Sequence, residues 1–128
     1  MTQLHAERYR LVTRSDFDGL VCAALLRQMD ILGDVKFVHP KDVQDGKVEL
    51  GPNDITTNLP FHPGVHLAFD HHSSETVRIS RVHDNHVIWP GAESAARVVY
   101  EYYGGAPVFP NISEEMMDAV DKADAADS

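Results

Sequence analysis

Five short apolar segments alternate along the chain with stretches of helical periodicity, and this alternation constrains the fold more than any other feature. We predict strands over residues 9–13, 35–38, 54–58, 65–69 and 87–89. Helices are predicted after residue 19, over residues 92–103 and from an N-cap at Ser113. This order favours one α/β domain over residues 1–128, with a mainly parallel, doubly wound β-sheet flanked by helices on both faces.

Two of the helices are predicted from apolar residues at helical spacing. The first would end at Gly33, and its apolar face is formed by Leu20, Val21, Ala24, Leu25 and Met29. The second would be capped by Gly104-Gly105, and its buried residues are Ala95, Val98, Val99 and Tyr102. Residues 45–46, Asp-Gly, predict a loop between the second and third strands.

Composition excludes several classes of function. A net charge of −9 argues against an extended duplex nucleic-acid surface, which would be basic. A small anionic substrate stays compatible with this charge if divalent cations act locally. No apolar run approaches the roughly 20 residues that span a bilayer, so we expect no membrane partner. Cys22, the single cysteine, is expected in the core, and a reducing cytoplasm is the expected location.

Polar residues follow three of the predicted strands. Asp16 and Asp18 come after the first strand, Asn58 ends the third, and Asp70 ends the fourth. Because ligand sites in parallel sheets lie beyond the carboxyl ends of the strands, we expect these side chains to meet at one edge. The first two carboxylates could enter one cleft together, or they could instead cap and charge a helix N-terminus.

The run Asp70-His71-His72 is the sharpest chemical signal. A carboxylate and two imidazoles are ligands suited to Mn²⁺ or Zn²⁺, and one of the three can orient another instead of binding metal itself. Four acids near the C-terminus suit a solvated face, although one of them could complete a metal site: Asp118, Asp121, Asp124 and Asp127. The other histidines match no ligand spacing and are expected on the surface or in loops: His5, His39, His62, His66, His83 and His86.

Four segments, taken in order, resemble the motifs of the DHH superfamily of phosphoesterases. Residues 11–19, LVTRSDFDG, resemble its first motif, and Asp70-His71-His72 is the motif that names the superfamily. Residues 57–60, TNLP, look like the second motif of the exopolyphosphatase-related, RecJ-like and oligoribonuclease-like branch. Residues 121–124, DKAD, resemble the fourth motif. The chain is thus similar to an N-terminal DHH domain.

The resemblance implies an enzyme that uses Mn²⁺ or Mg²⁺, as one or two ions. It would hydrolyse phosphoester or phosphoanhydride bonds in a short oligonucleotide, a nucleotide or polyphosphate. The implied metal ligands are Asp16, Asp18, Asn58, His71 and a fourth-motif acid, Asp121 or Asp124. Asp70, His71 and His72 would be catalytic, and Arg14 and His72 would contact substrate.

Two positions depart from the family pattern. Arg14 stands where the first motif often has histidine, and Asn58 stands where the second motif usually supplies a metal-bridging aspartate. An amide is a weaker ligand than a carboxylate, so the alternatives are a catalytically impaired ligand-binding or regulatory module, or an interaction scaffold. Since the chain stops at Ser128, we expect a catalytic domain truncated at its C-terminal end, without the family's C-terminal substrate-binding domain. A homodimer is compatible with this expectation.

Overall fold

The computed structural model of the chain describes residues 7–72 and 83–126, in which five strands form one all-parallel sheet. The strands are β1 (Tyr9–Thr13), β2 (Leu32–Phe37), β3 (Asp54–Thr57), β4 (Leu67–Asp70) and β5 (His86–Ile88). Their order across the sheet is β2-β1-β3-β4-β5. The predicted α/β fold is confirmed, and the sheet flanked by helices is consistent with a DHH-type domain.

Four helices accompany these strands in the described residues: α1 (Phe17–Gln28), α2 (Pro40–Gln44), α3 (Ala95–Tyr103) and α4 (Glu114–Ala126). Helices α1, α3 and α4 contact one another, and their apolar residues share one core with Leu11, Ile55 and Phe69 of the sheet. A smaller cluster contains Phe61 and Val65 together with Ala68, the strand neighbour of Phe69, so it lies on the opposite face. No helix of the described residues is long and apolar enough to cross a bilayer.

The strand order places a crevice between β1 and β3. The chain leaves β1 toward β2 on one side, and it then returns to β3 on the other side of β1. At such a reversal the connections diverge and leave a crevice beyond the carboxyl ends of the strands. The polar residues that follow β1, β3 and β4 are therefore brought to one edge.

The α1–β2 region differs from the prediction. Helix α1 ends at Gln28, Asp30 adopts a left-handed φ of 59°, and Gly33 lies inside β2 instead of ending the helix. Pairing with β1 starts β2 three residues earlier than its own sequence suggested, with Tyr9 opposite Leu32. Leu20 is 58% exposed because α1 is buried along Val21, Cys22 and Leu25.

The short helix α2 and the start of α3 were also missed. Pro40 begins α2, because proline suits the first helical position and His39 Nδ1 accepts the Lys41 N–H at 3.0 Å. Helix α3 begins at Ala95 and not at residue 92, since Ser94 is its N-cap. Tyr102 is 43% exposed, and its predicted core place is taken by Tyr100, whose ring stacks on Phe109.

Other local predictions are confirmed. Ser113 Oγ accepts the Met116 N–H at 3.0 Å at the start of α4, and Gly104 ends α3 with a φ of 123°. Cys22 is fully buried in the core. His5 and Asp127 lie outside the described residues.

Candidate metal centre

The loop between β1 and α1 turns Asp18 into the protein. Asp16 is the N-cap of α1, and its Oδ1 accepts the Gly19 N–H at 2.8 Å. A Cβ atom at Gly19 would lie 2.2 Å from the carbonyl oxygen of Arg14, so only glycine fits this close approach. Both readings of the two acids are thus realised: Asp16 caps the helix, while Asp18 is buried with 2% of its surface exposed.

The Asp18 carboxylate is held by the start of helix α3. Its two oxygens accept the N–H groups of Ala95 at 3.0 Å and Ala96 at 2.8 Å, and Asn58 Nδ2 donates at 3.3 Å. Burial is the largest influence on this group and raises the pKa of Asp18 to about 6, helped by the nearby charges of Asp124 and Asp16 and opposed by the backbone donors. The protein therefore positions a carboxylate rigidly in a place where its negative charge is poorly solvated.

Asp70 organises the turn that follows β4. Its Oδ1 accepts the N–H groups of His71 at 2.7 Å and His72 at 3.2 Å, and it lies 2.7 Å from His72 Nδ1. This contact favours the His72 tautomer that carries its proton on Nδ1. Asp70 thus fixes the backbone of both histidines and the ring of His72.

His71 faces the opposite way, toward helix α4. Its Nδ1 lies 3.1 Å from the carbonyl oxygen of Ala92, an acceptor that requires a proton on Nδ1. Its Nε2 lies 2.9 Å from Asp124 Oδ2. In the neutral ring, two lone pairs would face each other across this distance, so a cation or an additional proton must lie between them. Burial lowers the pKa of His71, but the contact with Asp124 and the charge of Asp18 outweigh it and raise the pKa overall.

These side chains form a cluster of metal-ligand type. Ligand atoms of Asp18, His71 and Asp124 all lie within 4.8 Å of one another, and Asp70, His71 and His72 meet the same criterion. Asn58 Oδ1 is buried and has no hydrogen-bond partner among the described residues. Carboxylate, imidazole and amide oxygen ligands suit Mn²⁺. Mg²⁺ prefers oxygen ligands and would therefore use the carboxylates and the amide oxygen more than the imidazoles. The residues present therefore fit a divalent cation.

Of the two fourth-motif acids, only Asp124 reaches this cluster. Asp121 Oδ1 accepts a hydrogen bond from Ser94 Oγ at 2.7 Å, and its Oδ2 accepts from Arg97 Nε at 3.0 Å and Nη2 at 2.8 Å. Both oxygens are thus engaged between α3 and α4, whereas Asp124 is the acid that lies beside His71 and Asp18. Asp124 lies three residues later, one helical turn on, where the helix faces His71.

No sequence motif predicts the backbone groups that bind Asp18 and His71. They are the N–H groups of Ala95 and Ala96 and the carbonyl of Ala92. Ser94 is a recognisable N-cap residue and could have marked the start of α3. No local signal, however, indicates that this helix start meets Asp18, which lies 77 residues earlier.

A small cavity of about 150 Å³ opens beside the cluster. It brings together the predicted substrate contacts Arg14 and His72 with Asn58 and Asp70. His72 has 39% of its side chain exposed and Arg14 38%, whereas Asp18 and His71 lie deeper. At the carboxyl edge of the sheet, the acids are therefore buried, while His72 and Arg14 lie nearer the surface.

Fold and site together define an open parallel α/β domain with a carboxylate–imidazole centre at the carboxyl edge of its sheet. No family model and no curated protein matches the sequence. Among solved structures, the chain is similar to the pGpG-specific phosphodiesterase PggH from Vibrio cholerae, with a TM-score of 0.84 and 55% identity over 94% of this chain. The match covers 38% of the PggH chain, so the present chain spans well under half of that protein's length. This similarity supports the resemblance to DHH-type phosphoesterases.

Proposed function

We propose that this chain is a metal-dependent phosphodiesterase domain that hydrolyses a short oligonucleotide, with pGpG as the leading substrate. The observation that carries the proposal is the facing pair of His71 Nε2 and Asp124 Oδ2, 2.9 Å apart, with buried Asp18 beside them. The similarity to PggH supports the choice of a dinucleotide over polyphosphate.

The metal ligands in this proposal are Asp18, His71 and Asp124, with Asp16 and Asn58 Oδ1 at the margin. A bound Mn²⁺ or Mg²⁺ would supply an acidified water molecule and neutralise the non-bridging phosphate oxygens. The protein's own contribution is preorganisation. The N–H groups of Ala95 and Ala96 keep Asp18 in place, so that little rearrangement is needed when the cation and substrate arrive.

The second set of residues handles substrate. Asp70 holds His72 through a proton on Nδ1, which leaves Nε2 of the neutral ring as an acceptor for a proton of the attacking water. Arg14 offers a guanidinium for a phosphate oxygen from the wall of the same cavity. No covalent protein nucleophile is required, and Cys22, which is fully buried, has no access to substrate.

Asn58 favours one second candidate, a regulatory module that binds the nucleotide without cleaving it. Its amide oxygen is a weaker ligand than a carboxylate and cannot bridge two cations equally well. This alternative keeps substrate binding and the metal ligands Asp18, His71 and Asp124 but loses turnover.

Hydrolysis of pGpG, followed by chromatography of the products, tests the proposal. Activity is expected to disappear in chelator and to return with Mn²⁺, and Asp18→Asn, His71→Ala and Asp124→Ala should abolish it. The matched control is Asp118→Asn, an acid of the same helix with 64% of its side chain exposed. Turnover that persists in chelator would refute the mechanism. Calorimetric Mn²⁺ binding without turnover would instead favour the regulatory module. The cytoplasmic location, the homodimer and the oligoribonuclease-like branch stay predictions.

A further inference from the structure

The segment that leads into helix α3, residues 92–96, supports two of the three proposed metal ligands. One of its carbonyl oxygens lies 3.1 Å from His71 Nδ1, and two of its N–H groups donate to the carboxylate of Asp18. The third ligand, Asp124, belongs to helix α4. The position of Asp124 relative to the other two ligands therefore depends on how α4 is held against this segment.

Three side chains join the start of α3 to α4. Ser94 Oγ donates to Asp121 Oδ1 at 2.7 Å and accepts the Arg97 N–H at 3.0 Å. The side chain of Arg97 donates to Asp121 Oδ2 through Nε at 3.0 Å and through Nη2 at 2.8 Å. The single hydroxyl proton of Ser94 points to the carboxylate, which leaves a lone pair of the same oxygen for the N–H group. We call Ser94, Arg97 and Asp121 the latch.

The latch is shielded from solvent and carries opposite charges. Ser94 is fully buried, Asp121 has 7% of its surface exposed, and the Arg97 side chain has 21% exposed. Two hydrogen bonds from one guanidinium to a carboxylate fix its orientation as well as its distance. Separating such a pair would leave a buried charge without its partner, which is strongly unfavourable. One arrangement of α3 against α4 is therefore preferred over neighbouring ones.

We propose that the latch is a positioning cluster for the metal centre, which keeps Asp124 facing Asp18 and His71 before the cation arrives. Asp121 precedes Asp124 by one helical turn, about 4.5 Å along the axis of α4, so a shift of the helix at Asp121 moves Asp124 by a similar distance. Ser94 directly precedes the two N–H donors that hold Asp18. The assignment rests on the proposed function, and it gives Asp121 a role that needs no contact with the cation.

Calorimetric titration with Mn²⁺ tests the latch. Asp121→Asn keeps the size of the side chain and removes its charge, and Ser94→Ala removes the hydroxyl group. Each should raise the Kd for Mn²⁺ roughly 10-fold, the lower end of the loss seen when a residue that orients metal ligands is removed. Two matched controls should leave the Kd unchanged. Glu101→Gln removes an exposed partner of Arg97 at 3.5 Å and keeps the latch, and Val120→Ala only reduces the core packing of α4.

Hydrogen exchange in chelator provides a second measurement that does not depend on metal. The amides of Ala95 and Ala96 donate to Asp18, and they should exchange faster in Asp121→Asn than in Val120→Ala. Because both variants lose global stability, their rates are compared at temperatures at which their free energies of unfolding are equal.

A latch that only stabilises the fold predicts a different outcome. Asp121→Asn and Val120→Ala would then have the same Kd for Mn²⁺ and the same exchange rates for these two amides, and this result overturns the assignment. If the wild-type chain binds no Mn²⁺, the proposed function fails instead. The exchange rates in chelator then decide the role of the latch by the same comparison.

Discussion

Replacing Asn58 by aspartate tests whether the centre is built around a cation. In the wild-type chain, the Asn58 amide donates to Asp18 Oδ2 at 3.3 Å, and both side chains are buried. Asn58→Asp turns that donor into a carboxylate, so two buried acids face each other. Asn58 has a left-handed φ of 64°, which aspartate tolerates better than most residues, so the change is mainly electrostatic.

The loss of stability caused by this change equals the smaller of two free-energy penalties. Two ionised carboxylates 3.3 Å apart would repel each other by about 5 kcal/mol at an effective dielectric constant near 20. Protonating Asp18, whose pKa is already about 6, costs about 3 kcal/mol at pH 8 and restores a donor between the groups. The free energy of unfolding in chelator should therefore fall by about 3 kcal/mol at pH 8.

The direction of the pH dependence follows from the same pKa. The folded-state pKa of Asp18 lies above its ordinary value of 3.8, so the penalty is present above about pH 6. It disappears as the pH falls through about 6, because Asp18 of the folded wild-type chain then binds the same proton. The difference between Asn58→Asp and wild type should thus be much smaller at pH 6 than at pH 8.

Urea unfolding followed by circular dichroism, in chelator and in Mn²⁺, measures both effects. Mn²⁺ should stabilise Asn58→Asp more than wild type, since the cation neutralises the added charge. The control is Asn53→Asp, which makes the same chemical change at an exposed position outside the cluster. The reasoning fails if Asn58→Asp is as stable as wild type at pH 8 in chelator, or if Mn²⁺ stabilises both proteins equally.

Two further predictions separate structural roles from metal binding. Gly19→Ala should lower the free energy of unfolding by about 1–3 kcal/mol or more, because its Cβ would lie 2.2 Å from the Arg14 carbonyl oxygen. Gly51→Ala is the control in the same urea titration and should change stability little, since there is open space around Gly51. Asp121→Ala should cost about 1–3 kcal/mol by removing a buried hydrogen-bond partner of Arg97 and Ser94, but calorimetry should still detect Mn²⁺ binding. Asp124→Ala should instead abolish Mn²⁺ binding with a smaller loss of stability, and the opposite result would return the metal to Asp121.

Local sequence was enough to predict most elements of the fold. The strands at residues 9–13 and 54–57 were recognised because apolar and β-branched residues lie between turn signals. The caps at Ser113 and Gly104 were recognised because capping depends on near neighbours. Residues whose burial depends on distant elements were harder: Leu20 and Tyr102 have the right helical spacing but are exposed, since the packing of α1 and α3 was not encoded nearby.

The sequence by itself determined which chemical groups are available to the site. They are the acids after β1, the Asp70–His72 run after β4, and a pair of acids in the last helix. Only the tertiary structure decided how these groups are used. It assigned Asp121 to Arg97 and turned Asp124 toward His71, and it placed the start of α3 against Asp18. A motif consists of neighbouring residues and can therefore be recognised in the sequence. The partner of a buried charge depends instead on the packing of helices and on the order of the strands. These bring together groups that lie tens of residues apart along the chain.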